Sequence, residues 1–113
     1  MKPPHRQHRT IAAVTGLAVL LAGGTWAFAA PEPAAQKGQQ VFSERKCAVC
    51  HALHGQGGNV GPDLSTVGAA RDEAWLKKFL VDPKSVYPHT IMPPFRGTAE
   101  ERDALAAYLR SLH

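Results

Sequence analysis

The pentapeptide Cys47-Ala48-Val49-Cys50-His51 constrains this chain more than any other feature. It holds the only two cysteines in 113 residues. One close-spaced pair cannot build a disulfide framework. Yet the rest of the sequence is short and loop-rich, and a domain of this size buries too little surface to hold itself together easily. Whatever Cys47, Cys50 and His51 bind is therefore a candidate for the missing core.

Cys-x-x-Cys-His is the attachment signature of c-type haem. Two thiols three residues apart on one turn can add to the two vinyl groups along one side of a porphyrin. The adjacent imidazole then stands beneath the ring and offers a nitrogen to the iron. Three other chemistries use similar cysteines. A thioredoxin-like redox pair requires a βαβ context, and no strand alternation is evident here. A disulfide between Cys47 and Cys50 would close a very small loop and restrain the unfolded chain little. A zinc site needs two further ligands. His54, His89 and His113 form no His-x₃₋₅-His pair. The residues favour haem.

The N-terminus reads as an export signal. Lys2, Arg6 and Arg9 precede an uncharged stretch from Thr10 to Pro31, densest in apolar residues over Ile11–Leu21, and Ala27-Phe28-Ala29 supplies small residues for a peptidase. These are the parts of a secretory signal peptide, with cleavage expected after Ala29. The two arginines are not adjacent, so the twin-arginine route is not indicated. The alternative is an uncleaved membrane anchor with Trp26 and Phe28 at the far interface. Gly23, Gly24 and three threonines weigh against it. Either reading places residues 30 onward outside the cytoplasm, in the bacterial periplasm, soluble or tethered to the inner membrane.

That assignment changes what the charge means. The whole chain carries 13 Lys+Arg against 9 Asp+Glu, a formal +4. Three of the basic residues lie in the leader, so 10 face 9 in the remainder. No basic cluster interleaved with aromatics survives, which excludes a nucleic-acid partner.

Residues 30–35 read as a linker and 36–113 as one domain. Ala34, Gly38, Val41 and Phe42 mark one face of a first helix. Gly55 to Gly61 reads as loop. Asp72 is placed to cap a second helix whose apolar face is Trp75, Leu76, Phe79 and Leu80, ending before Pro83. A proline-rich loop follows. Thr98-Ala99-Glu100-Glu101 is a capping box that starts a last helix with Leu105, Tyr108, Leu109 and Leu112 on one face. The expected fold is all-α, with three to four short helices and long loops.

Met92 is the only methionine beyond the leader, in Thr90-Ile91-Met92-Pro93-Pro94-Phe95. Two prolines stiffen that loop, which suits a thioether held at a set distance from an iron. A gap-filling core methionine is the ordinary alternative. His89 is the rival ligand.

In these features the sequence resembles the class I cytochromes c, the small mono-haem proteins, from about Gln36 to Leu112. The resemblance rests on Gly38 with Phe42, Cys47-Ala48-Val49-Cys50-His51, Gly61-Pro62-Asp63-Leu64, and Met92-Pro93-Pro94-Phe95 before a helix ending Tyr108-Leu109. It implies one haem c, covalent through Cys47 and Cys50, with His51 and Met92 as the axial ligands of its iron. It implies that the Pro62 carbonyl accepts a hydrogen bond from the other ring nitrogen of His51. It implies that the first and last helices cross at Gly38, with Leu105 and Tyr108 near Phe42, and that Trp75 and Tyr87 lie near the haem propionates. An iron with both axial positions filled has no site for substrate, so the function implied is one-electron transfer between redox partner proteins. Lys37, Lys46, Lys77, Lys78 and Lys84 are candidates for a docking rim. The competing expectations are a haem subunit of a dehydrogenase, sulfur-oxidising or oxidase complex, and a ligand sensor or peroxidase in which Met92 comes off the iron.

Overall fold

The structure, a computed structural model, describes Gly24 and residues 32–113. The expected leader, with its cleavage site after Ala29, otherwise lies outside the described residues. Among the described residues no helix is long and apolar enough to cross a membrane.

Helix α1 spans Pro33–Glu44. It begins within the stretch expected as linker. Proline is well suited to a first helical turn, because its φ is preset and it has no N–H to satisfy there. Ala35, Gly38, Val41 and Phe42 are its buried positions. Ala34 is exposed, so the apolar face starts one residue later than the sequence pattern indicated. Helix α2 is a single turn, Val67–Ala70. The Gly68 amide donates to the Leu112 carbonyl at 2.8 Å, and the Arg110 side chain returns a bond to the Gly68 carbonyl at 2.7 Å. This turn therefore docks against the end of the chain.

Helix α3 spans Glu73–Val81, and the Asp72 carboxylate accepts from the Trp75 amide at 2.7 Å. Leu76 and Leu80 are buried, whereas Trp75 and Phe79 are half-buried and stack on one another. The helix stops before Pro83, which is itself fully buried and opens a 3₁₀ turn, Pro83–Ser85. Helix α4 spans Ala99–Arg110. The Glu101 amide donates to Thr98 Oγ1, and the Thr98 amide donates back to Glu101 Oε2 at 2.9 Å, completing the capping box.

Helices α1 and α4 form the main packing interface of the described residues. A β-carbon on Gly38 would lie 2.0 Å from the Ala104 carbonyl oxygen and 2.6 Å from the Tyr108 Cβ. The two backbones touch there, and only glycine allows it. One turn along, the rings of Phe42 and Tyr108 meet edge to face, with centroids 5.9 Å apart. The core is Val41, Phe42, Leu76, Leu80, Leu105, Ala106 and Leu109. Several apolar side chains against it, including Leu53, Leu64, Trp75, Met92 and Phe95, are only partly covered.

One element departs from the expected all-helical pattern. Strand β1, Ala52–Leu53, pairs antiparallel with strand β2, Gln56–Gly57. His54 and Gly55 join them, both at positive φ (50° and 79°). Positive φ at both central residues is the requirement of a type I′ hairpin turn. Strands of two residues are too short to show any alternation in sequence, which is why this stretch reads as loop.

Candidate functional site

Lys46 leaves α1 in the left-handed conformation, φ 56°, and turns the chain into a 3₁₀ turn at Cys47–Val49. The Cys50 and His51 amides both donate to the Cys47 carbonyl, at 3.2 and 3.0 Å. This tight winding gathers the two cysteines and the histidine. Both cysteines are half-buried free thiols, and Cys47 packs against the core. Burial, the largest influence on it, pushes the Cys47 thiol above its ordinary value, so it stays uncharged at neutral pH.

The segment 61–64 is strapped to this turn. The Gly61 amide donates to the Cys50 carbonyl at 2.8 Å, and the Leu64 amide to the Ala52 carbonyl at 2.9 Å. The strap brings the Pro62 carbonyl 2.8 Å from His51 Nδ1. Only a ring nitrogen that carries a hydrogen can donate to a carbonyl, so Nδ1 carries it, and in the neutral imidazole the lone pair is then on Nε2. A β-carbon on Gly61 would stand 2.5 to 3.0 Å from three atoms of the ring. The imidazole is thus held by a hydrogen bond and pressed against glycine backbone.

Met92 lies in the loop between the 3₁₀ turn and α4. It is half-buried and packs against the core, while His89 is exposed and Ile91 is 80% exposed. The Met92 amide donates to Thr90 Oγ1 at 3.2 Å. Three residues on, the Phe95 amide donates to the Leu80 carbonyl at 2.8 Å, anchoring the loop to the end of α3.

Trp75 and Tyr87 belong to one cluster. Trp75 stacks on Phe79 at 4.9 Å between centroids, and Tyr87 meets Phe79 edge-on at 5.8 Å. Arg71 completes it, with its guanidinium 4.3 Å above the Trp75 ring and Nη2 3.4 Å from the Tyr87 hydroxyl. Sequence reasoning missed Arg71. A cation four residues before an aromatic on a helix is a usable signal, but Arg71 precedes α3, so no helical periodicity applied to it.

These residues suit haem. There are two free thiols for covalent attachment, an imidazole whose Nδ1 is engaged by a carbonyl so that Nε2 is the nitrogen left over, a thioether, and an incompletely covered apolar wall for the porphyrin faces. Among the described residues no cluster of three or more His, Cys, Asp or Glu could hold a bare metal ion. Residues 35–113 match the family described as cytochrome c.

The chain belongs to the cytochrome c family.

The domain accordingly carries covalent haem c with its iron and is an electron-transfer module. Among its relatives is cytochrome c oxidase subunit 2 of Alkalihalophilus pseudofirmus, 36% identical over 94 residues, which cover 72% of this chain and 26% of that protein. Another is a nitric oxide reductase subunit from Cereibacter sphaeroides, 30% identical over 82 residues, covering 65% of this chain and 56% of that protein. The chain thus spans about a quarter of the first relative and about half of the second.

Proposed function

We propose that this cytochrome c is a one-electron carrier whose iron is held by His51 and Met92 and whose haem is attached through Cys47 and Cys50. When bound, the haem supplies an Fe(III)/Fe(II) couple. The observation that best supports the reading is the bond from His51 Nδ1–H to the Pro62 carbonyl. It fixes the tautomer, aims the free Nε2 lone pair, and makes the imidazole a better donor. Met92, half-buried on its proline-stiffened loop, would serve as the second ligand to the iron better than the exposed His89. A thioether ligand raises the potential relative to a second imidazole, which suits delivery of electrons to an oxidase. Arg71, Trp75 and Tyr87 offer a positive charge and N–H and O–H donors, the chemistry that haem propionates require. Replacing Met92 by Ala tests the ligation directly.

A second reading is favoured by the two relatives described above, each of which is named as a subunit. On that reading this domain passes electrons within an oxidoreductase complex. Gel filtration of the native protein after mild detergent extraction separates the two. A small monomer supports the free carrier, and co-elution at high mass supports membership of a complex. In both readings the domain works outside the cytoplasm, in the periplasm, delivered there by residues 1–29. Intact mass of the mature protein tests cleavage after Ala29 and the addition of one haem in a single measurement.

The lysine rim finds limited support. Lys37 pairs with Glu100, and Lys77 pairs with Glu73 at 2.7 Å, so two of the five candidates are already engaged. Lys46, Lys78 and Lys84 are the ones left for a partner, and pairs at an exposed rim contribute mostly to the rate of encounter.

A further inference from the structure

The Met92 loop is tied down at its far end by an arrangement that neither haem attachment nor ligation uses. Phe95 follows Met92 by three residues, and the two between are prolines with fixed φ, so a shift at Phe95 is passed on with little slack. The Phe95 amide is bonded to the Leu80 carbonyl, and its half-buried ring packs on the core. Above that ring, 5.8 Å from its centroid, sits the Arg45 guanidinium, at the end of α1. Arg45 Nη2 donates to Glu101 Oε2 at 2.7 Å, and the same oxygen accepts the Thr98 amide at 2.9 Å. A β-carbon on Gly97 would lie 2.5 Å from that oxygen and 2.6 Å from the Phe95 ring edge, so the carboxylate, ring and backbone are packed without a gap.

We propose that Glu101 and Arg45 are positioning residues for Met92: their ion pair clamps Phe95 from above and so keeps the thioether against the iron. The pair joins the end of α1, the start of α4 and the ligand loop at one carboxylate. Glu101 is its less exposed member, with 23% of its side chain accessible against 41% for Arg45. The neighbouring Lys37–Glu100 pair also bridges α1 to α4, but it is more exposed, and the groups described against Phe95 are Arg45, Gly97 and the Leu80 carbonyl. It is the natural control. The proposal rests on the reading of Met92 as a ligand.

The test is competition by imidazole for the ferric iron of the intact haem protein, with hydrogen exchange at the Phe95 amide and the denaturation midpoint measured on the same samples. Glu101→Gln keeps an acceptor for the capping box while removing the charge. Glu101→Gln and Arg45→Gln are each expected to raise imidazole affinity about two- to fivefold and to speed Phe95 exchange, and the double variant is expected to do no more than either. Glu100→Gln is expected to leave imidazole affinity unchanged, whatever it does to the midpoint. Equal shifts in Glu100→Gln and Glu101→Gln, or none in Glu101→Gln and Arg45→Gln, would overturn the clamp. Failure of the underlying ligation is a different result: Met92→Ala would then bind imidazole no more tightly than the parent protein.

Discussion

The His51 imidazole rests against Gly61 so closely that a β-carbon at position 61 would stand 2.5 Å from Cε1 and 2.7 Å from Nδ1. The same ring donates to the next carbonyl, that of Pro62. Gly61→Ala must therefore displace the ring and lengthen the bond that orients it. Overpacking of this kind costs about 1–3 kcal/mol. The expected outcome is a lower denaturation midpoint of the haem-loaded protein and a reduced yield of it. An unchanged midpoint would mean that the strap at 61–64 yields easily.

The crossing of α1 and α4 makes a similar demand on Gly38, but there the opposing group is Ala104 backbone rather than a side chain. Backbone cannot rotate away. Gly38→Ala is expected to destabilise the protein by about 1–3 kcal/mol, at the upper end of that range, in guanidinium denaturation. Gln40→Ala on the exposed side of the same helix is expected to stay within about 0.5 kcal/mol.

The Glu101 carboxyl is held below its ordinary value of 4.5, first by the Thr98 amide and then by Arg45. A depressed value means the folded state favours the ionised form. The contribution to stability is thus complete above the ordinary value and is lost as pH falls through the depressed one. The stability gap between the parent protein and Glu101→Gln is expected to be constant near neutrality and to shrink below about pH 4.5. Denaturation curves recorded across that range check it, and a gap that widened in acid would contradict the assignment.

Cys47 and Cys50 each supply one attachment point. Cys47→Ser or Cys50→Ser removes one thioether, so haem retained through denaturing electrophoresis is expected to fall sharply, as read by haem staining. Undiminished staining in both variants would argue that attachment does not run through this pair.

The sequence was most legible where structure is local. Asp72 and Thr98 could be read as caps because each acts on a backbone amide three residues away, within reach of a short pattern. The crossing at Gly38 was an implication of the family resemblance, with which its place on an apolar face agrees, and the surface it meets is the Ala104 backbone as well as Tyr108. What could not be read depends on chain segments meeting in space. The His54-Gly55 hairpin lacks strand pattern, the one-turn α2 exists by docking on residues 110–112, and Arg71 finds Trp75 and Tyr87 only once α3 is placed. The Phe95–Leu80 bond and the Arg45–Glu101 pair belong to the same class: they join segments that are 15 and 56 residues apart. Position in such contacts follows from the packing of α1, α3 and α4, which no short window contains.

The central claim is that Met92 ligates the iron opposite His51, and the ferric absorption spectrum of Met92→Ala tests it most directly. The expected result is that haem stays covalently attached, that the weak charge-transfer band at the red end of the parent spectrum disappears, and that the potential falls. A Met92→Ala protein with that band and potential intact would contradict it.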